Sequence, residues 1–128
     1  MEDTFGRNIR YLRLSVTELC DLRCRYCMAE EGVCKRGHEE LCSFEELRDF
    51  TAAAAALGVT KLRVTGGEPL VRKADILKLA EKHNDVQFAI YTNSTLIDEP
   101  FCKEVVRLGN IAFMLSIEGT PETNDARR

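Results

Sequence analysis

Residues Tyr11-Leu-Arg-Leu-Ser-Val-Thr17 alternate apolar and polar side chains and run almost directly into Cys20-Asp-Leu-Arg-Cys24-Arg-Tyr-Cys27. A period of two marks a strand with one buried face, here Leu12, Leu14 and Val16. Tyr11, Arg13, Ser15 and Thr17 take the other face. The three cysteines then stand in the order C-x3-C-x2-C on one short loop. Three thiolates so placed can hold three irons of a cubane 4Fe–4S cluster and leave the fourth without a protein ligand. Ordinary electron-transfer clusters have four cysteine ligands, so an open iron at a strand end marks a reaction site. Zinc is the competing reading. It favours paired C-x2-C units completed by a further Cys or His, and the two histidines, His38 and His83, have no ligand spacing.

Beyond this loop, taken as residues 18–42, the chain repeats a strand–helix alternation. Ser43 opens a helix with Glu46 as its capping-box partner, Phe44, Leu47, Phe50, Ala54 and Leu57 form its apolar stripe, and Gly58 closes it. A strand from Thr60 to Thr65 enters Gly66-Gly67-Glu68-Pro69. The spacing predicts a second helix over Lys73 to His83 with Ile76, Leu77 and Ala80 inward, and a strand from Val86 to Thr92. Asp98 caps a third helix that tolerates Pro100 and ends at Gly109, and a fourth strand covers Ile111 to Ile117.

Serial βα units imply right-handed crossovers and a parallel sheet. Strands covered by helices on both faces read as continuous apolar runs, yet these alternate. Leu62 and Val64 oppose Lys61, Arg63 and Thr65, and Phe113, Leu115 and Ile117 oppose Ala112, Met114, Ser116 and Glu118. The expectation is a curved α/β sheet with helices outside and a polar inner face lining a cavity. In the third strand, Phe88 and Ile90 share a face with Thr92. An eight-unit barrel takes about 250 residues, so this chain holds about four βα units.

The 128 residues form one domain, 45% apolar and 30% charged, with net charge −3. That balance argues against a nucleic-acid partner, and no apolar run reaches the length of a membrane span. The start of the chain does not read as an export signal, so a reducing cytoplasm is expected, where thiols stay available to a cluster. Cys34, Cys42 and Cys102 follow no ligand spacing. Cys102 reads as a small core residue and the other two as exposed thiols.

The cysteine triad with Tyr26, and Gly66-Gly67-Glu68-Pro69 after the second strand, resemble the radical SAM superfamily over nearly the whole chain. The resemblance implies the N-terminal portion of a partial barrel of six strand–helix units. It implies a 4Fe–4S cluster on Cys20, Cys24 and Cys27, and S-adenosylmethionine chelated at the open iron and cleaved reductively to a 5′-deoxyadenosyl radical. Tyr26, Gly66, Gly67, Glu68 and Ser116 are the positions implied for that cofactor. Two glycines allow a ligand close to the backbone, and Glu68 can pair with an ammonium group. An electron donor such as flavodoxin or ferredoxin is implied as a partner.

Within the superfamily, Phe5-Gly-Arg-Asn-Ile-Arg-Tyr-Leu-Arg-Leu-Ser-Val-Thr17, Arg25-Tyr-Cys-Met28, Glu30-Glu-Gly-Val33, Ser43-Phe-Glu-Glu46, Leu57-Gly-Val59 and Thr65-Gly-Gly-Glu-Pro-Leu-Val-Arg72 resemble the GTP 3′,8-cyclases of molybdenum-cofactor biosynthesis. That similarity implies GTP as substrate, with Arg13, Arg63 and Thr92 beside it. From pattern alone, the two arginines could equally form ion pairs with Glu68 or Glu118, or grip phosphate through their planar forks. Leu19 and Asp21 depart from the Arg and Asn usual in that loop. Ser94 replaces a usual Gly, at a cost if the position needs positive φ. The stretches Tyr91-Thr-Asn-Ser-Thr-Leu-Ile-Asp98 and Ser116-Ile-Glu-Gly119 look more like other radical SAM enzymes. Three readings stay open: a cyclase-type enzyme, a radical SAM enzyme of another branch acting on a peptide or small metabolite, and a non-catalytic iron–sulfur or zinc module. The chain is expected to be a truncated core, about four of the six units, and since the cysteines of the cyclases' second cluster have no counterpart here, complete cyclase activity is not expected of these residues alone.

Overall fold

A computed structural model describes residues 2–29, 31–32 and 40–128. Cys34, His38 and most of the charged stretch from Glu30 to Glu40 lie outside the described residues. The elements alternate as expected: β1 (Tyr11–Ser15), α1 (Phe44–Ala56), β2 (Lys61–Thr65), α2 (Lys73–Lys82), β3 (Gln87–Thr92), α3 (Glu99–Leu108), β4 (Ile111–Leu115) and α4 (Pro121–Arg127). A 3-10 turn, Pro69–Arg72, leads into α2. Helix α4 was not foreseen. The strands lie side by side in chain order and every pairing is parallel.

Local chemistry sets the helix ends. The Ser43 hydroxyl accepts from the Glu46 amide at 3.1 Å and the Glu46 carboxylate accepts from the Ser43 amide at 2.8 Å, which is the anticipated capping box. Asp98 accepts from the Phe101 amide at 2.9 Å. Gly109, at φ 72°, closes α3 in the left-handed conformation that glycine adopts without penalty.

Register builds the core. Leu12, Leu62, Phe88 and Ile111 lie abreast, as do Leu14, Val64, Ile90 and Phe113. Leu62, Phe88 and Ile90 are completely buried, against Leu47 of α1, Ile76 and Leu79 of α2 and Phe101 of α3. All three helices therefore cover the same face of the sheet. The opposite face is bare: Tyr11, Arg13, Ser15 and Lys61 are exposed, and Arg63, Thr65 and Tyr91 are half-buried. The alternating strand pattern is accounted for by this one-sided cover.

Some details differ from the periodicity. In α1 the buried stripe is Leu47, Thr51 and Ala54, while Phe50 and Leu57 are exposed. Thr51 is tolerated inside because its hydroxyl donates to the Leu47 carbonyl at 2.7 Å. Helix α2 buries Leu79 rather than Leu77 most deeply. Cys102 is exposed, not a core residue, because Phe101, Val105 and Leu108 take the inward side of α3. His83 is half-buried.

Candidate functional site

The loop after β1 and the turn after β2 are packed backbone against backbone. The ladder of β1 and β2 continues past both strands, with the Val16 amide donating to the Thr65 carbonyl at 2.9 Å. The Gly67 amide then donates to Thr17 at 2.8 Å and the Glu68 amide to Leu19 at 2.7 Å. A Cβ on Gly66 would lie 2.3 Å from the Thr17 carbonyl oxygen, and one on Gly67 would lie 2.4 Å from that of Leu19. The backbone that approaches these glycines so closely is therefore the chain's own cysteine loop.

Glu68 is placed differently from expectation. It is 1% exposed. Its carboxylate accepts from the Leu70 amide and the Thr92 hydroxyl, both at 2.8 Å, and from the Asn93 amide at 2.7 Å. Three donors satisfy a carboxylate that burial would otherwise penalise. Glu68 thus clasps the glycine turn to the end of β3 and offers no surface to an ammonium group. Thr92, expected beside the substrate, is also 1% exposed and spends its hydroxyl on Glu68. It sits on the packed face with Phe88 and Ile90, as the strand alternation had it.

Cys20 and Cys24 are half-buried, Cys27 is exposed, and none is in a disulfide. The Cys27 and Met28 amides both donate to the Cys24 carbonyl, at 2.9 and 3.1 Å, which turns the chain between the last two thiols. Arg23 pins the loop from outside, donating to the carbonyls of Cys20 and Leu22 at 2.9 and 2.8 Å. The Cys20 sulfur accepts from the Leu22 amide at 3.4 Å and from the Asn93 side-chain amide at 3.9 Å. Burial pushes the Cys20 thiol above its ordinary value, the Leu22 amide opposes this, and negative charge at Asp21, Glu68 and Cys24 adds to the rise. Among the described residues no three Cys, His, Asp or Glu side chains converge on one metal ion. A cubane does not ask for such convergence, because each thiolate takes its own iron. Three thiols free of disulfides on one loop, with an amide donor beside one of them, fit that group.

Asp21 ties this loop to β3. Its carboxylate accepts from the Asn93 side-chain amide at 2.8 Å and from the Thr95 hydroxyl. Burial raises the Asp21 carboxyl, but the Thr95 and Asn93 donors outweigh it and hold the group below its usual range. Between those donors sits Ser94 at φ 76°, the one non-glycine with positive φ among the described residues. Its buried hydroxyl has no hydrogen-bond partner. The expected cost of Ser for Gly is therefore present.

At the rim, the Tyr26 hydroxyl donates to Glu118 at 2.8 Å, which raises the phenol above its ordinary value. Arg127 and Arg128 reach the same carboxylate at 3.5 and 3.7 Å. The Arg127 guanidinium lies 5.2 Å from the Tyr26 ring centre, and its carbonyl accepts from the Arg25 amide at 3.0 Å. Helix α4 thus docks on the cysteine loop. Ser116 is exposed just past β4, its amide donating to the Thr92 carbonyl at 2.9 Å.

Arg13 and Arg63 are register partners on β1 and β2, on the bare face. The ion pairs considered from sequence do not form: Glu68 is filled by its three donors, and Glu118 by Tyr26, Arg127 and Arg128. Instead the Arg63 guanidinium lies 3.4 Å from the ring centre of Tyr91. Tyr91 was not singled out from sequence, although strand alternation opposite Thr92 places it on this face.

The profile of the radical SAM superfamily matches residues 14–128. Curated relatives include the GTP 3′,8-cyclase of Geobacter sulfurreducens, 48% identical over 100 residues, covering 76% of this chain and 31% of that protein. The GTP 3′,8-cyclase of Desulforamulus reducens is 44% identical over 124 residues, covering 97% of this chain and 36% of that protein. The chain thus spans about a third of the length of these relatives. Among solved structures, Streptococcus suis SuiB bound to S-adenosylmethionine superposes with a TM-score of 0.68 at 22% identity, over 90% of this chain and 25% of that one. That likeness carries the fold.

Two stability changes follow from the packing. Gly67→Ala is expected to cost about 3 kcal/mol by forcing the loop backbone away, read as a lowered urea midpoint. Ser94→Gly is expected to gain about 1 kcal/mol by relieving the left-handed strain, read as a raised midpoint in the same titration.

Proposed function

The chain belongs to the radical SAM superfamily, and on that footing we propose that it is the N-terminal portion of a GTP 3′,8-cyclase-like enzyme core. Cys20, Cys24 and Cys27 would hold a 4Fe–4S cluster. When bound, such a cluster supplies the electron for reductive cleavage of S-adenosylmethionine to methionine and a 5′-deoxyadenosyl radical. The exposed ring of Tyr26, the Gly66–Gly67 backbone and Ser116 would seat that cofactor. Glu68 and Thr92 act from behind, holding the glycine turn in place.

The observation that carries the substrate class is the pair Arg13 and Arg63. They are adjacent cations on the bare face, and no carboxylate neutralises either among the described residues. Two guanidinium forks left without anions suit the phosphates of a nucleotide. The identity to GTP 3′,8-cyclases supports GTP as that nucleotide.

The same reading takes residues 1–128 as part of a larger barrel. Leu115 and Ile117 are 49% and 68% exposed beside the outer edge of β4, which pairs with no strand among the described residues and which further βα units would cover. Among the described residues no helix is long and apolar enough to cross a membrane. A cytoplasmic setting, with flavodoxin or ferredoxin as electron donor, completes the proposal.

The test is 5′-deoxyadenosine release by anaerobically reconstituted protein given dithionite and S-adenosylmethionine. Release is expected to depend on Cys24, falling to background in Cys24→Ala, and to rise when GTP is added. Release indifferent to GTP would move the chain to another branch of the superfamily. A fully assembled cluster with no release at all, also when the chain is joined to the C-terminal part of a cyclase relative, would overturn the enzymatic reading.

A further inference from the structure

We infer that Tyr91 is a positioning residue that holds Arg63 ready for an anionic ligand without neutralising it. This rests on the reading of Arg13 and Arg63 as a phosphate seat, and adds how that seat is kept open. Tyr91 follows Ala89 by two residues on the bare face of β3, and Ala89 is the register partner of Arg63. A small side chain opposite Arg63 leaves room for the guanidinium to reach the ring. It lies 3.4 Å from the ring centre, within face-stacking distance.

The alternatives in protein chemistry would do something different. A carboxylate would orient the fork equally well, but would cancel its charge and occupy its N–H donors. A neutral ring attracts the cation through its face and leaves the donors in the plane of the fork uncommitted. The state of Arg63 agrees with this: its Nε is buried and has no hydrogen-bond partner. That buried Nε is out of a ligand's reach, and the terminal nitrogens of the fork, which no hydrogen bond among the described residues occupies, are the donors an outside acceptor can meet. Arg13, beside it in register and exposed, supplies the second charge. The ligand class that satisfies both is a phosphorylated nucleotide, and the corresponding nucleoside gains nothing from either group.

The experiment is equilibrium binding of GTP and of guanosine to the full chain, measured by isothermal titration for wild type, Arg63→Ala, Tyr91→Leu and Tyr91→Phe. Tyr91→Leu is expected to weaken GTP binding roughly five- to tenfold, leave guanosine binding unchanged, and be matched to wild type again in Tyr91→Phe. If Arg63→Ala weakens GTP binding while Tyr91→Leu binds it as wild type does, the positioning role is wrong and the phosphate seat stands. If neither substitution matters, or wild type binds no GTP, the phosphate seat itself fails and takes the inference with it. Equal loss of GTP and guanosine in Tyr91→Leu would assign the ring a structural role and overturn the inference.

Discussion

The site depends on one close contact between two stretches of main chain. The turn at Gly66–Gly67 runs against Thr17–Leu19 at distances that leave no space for a Cβ. The amide hydrogen bonds across this seam contribute about 1 kcal/mol each. The Glu68 clasp is the stronger element. A buried carboxylate stripped of its partners costs about 3–5 kcal/mol, so the three donors around it are hard to separate. Seam and clasp together fix the start of the cysteine loop relative to the ends of β2 and β3. The thiols themselves sit further out, on a more exposed segment whose anchors are Arg23, Asp21 and α4.

The second constraint is that helices cover only one face of the sheet. That arrangement puts the large apolar strand residues, Met114 excepted, on one side and leaves polar groups on the other without helices to bury them. A bare sheet face bearing two arginines that no carboxylate among the described residues compensates is unfavourable unless something else occupies it. The edge of β4, with Leu115 and Ile117 exposed, is unfavourable for the same kind of reason. Both features make physical sense in a larger assembly that closes around a ligand.

Much of this was legible in the sequence because it rests on local rules. The four strands, the capping box at Ser43, the cap at Asp98 and the stop at Gly109 each follow from residues within a few positions of one another. The strain at Ser94 was also readable, since a positive φ position tolerates few side chains. What was missed depends on partners distant in the chain. Glu68 looks like a surface group by type, and two of the three donors that make its burial possible, Thr92 and Asn93, lie more than twenty residues on. Thr51 entered the core through a bond to its own helix, which displaced Phe50 from the expected stripe. Thr92 was assigned by family position, whereas the alternation of β3 already gave the bare face to Tyr91.

The most direct test of the open-iron assignment is electron paramagnetic resonance on the anaerobically reconstituted, dithionite-reduced chain, with and without S-adenosylmethionine. The expected result is the spectrum of a reduced 4Fe–4S cluster whose g values shift when the sulfonium compound is added, as a directly ligated iron requires. A spectrum unmoved by that addition, or a chain that takes up zinc tightly and never assembles iron and sulfide, would contradict it.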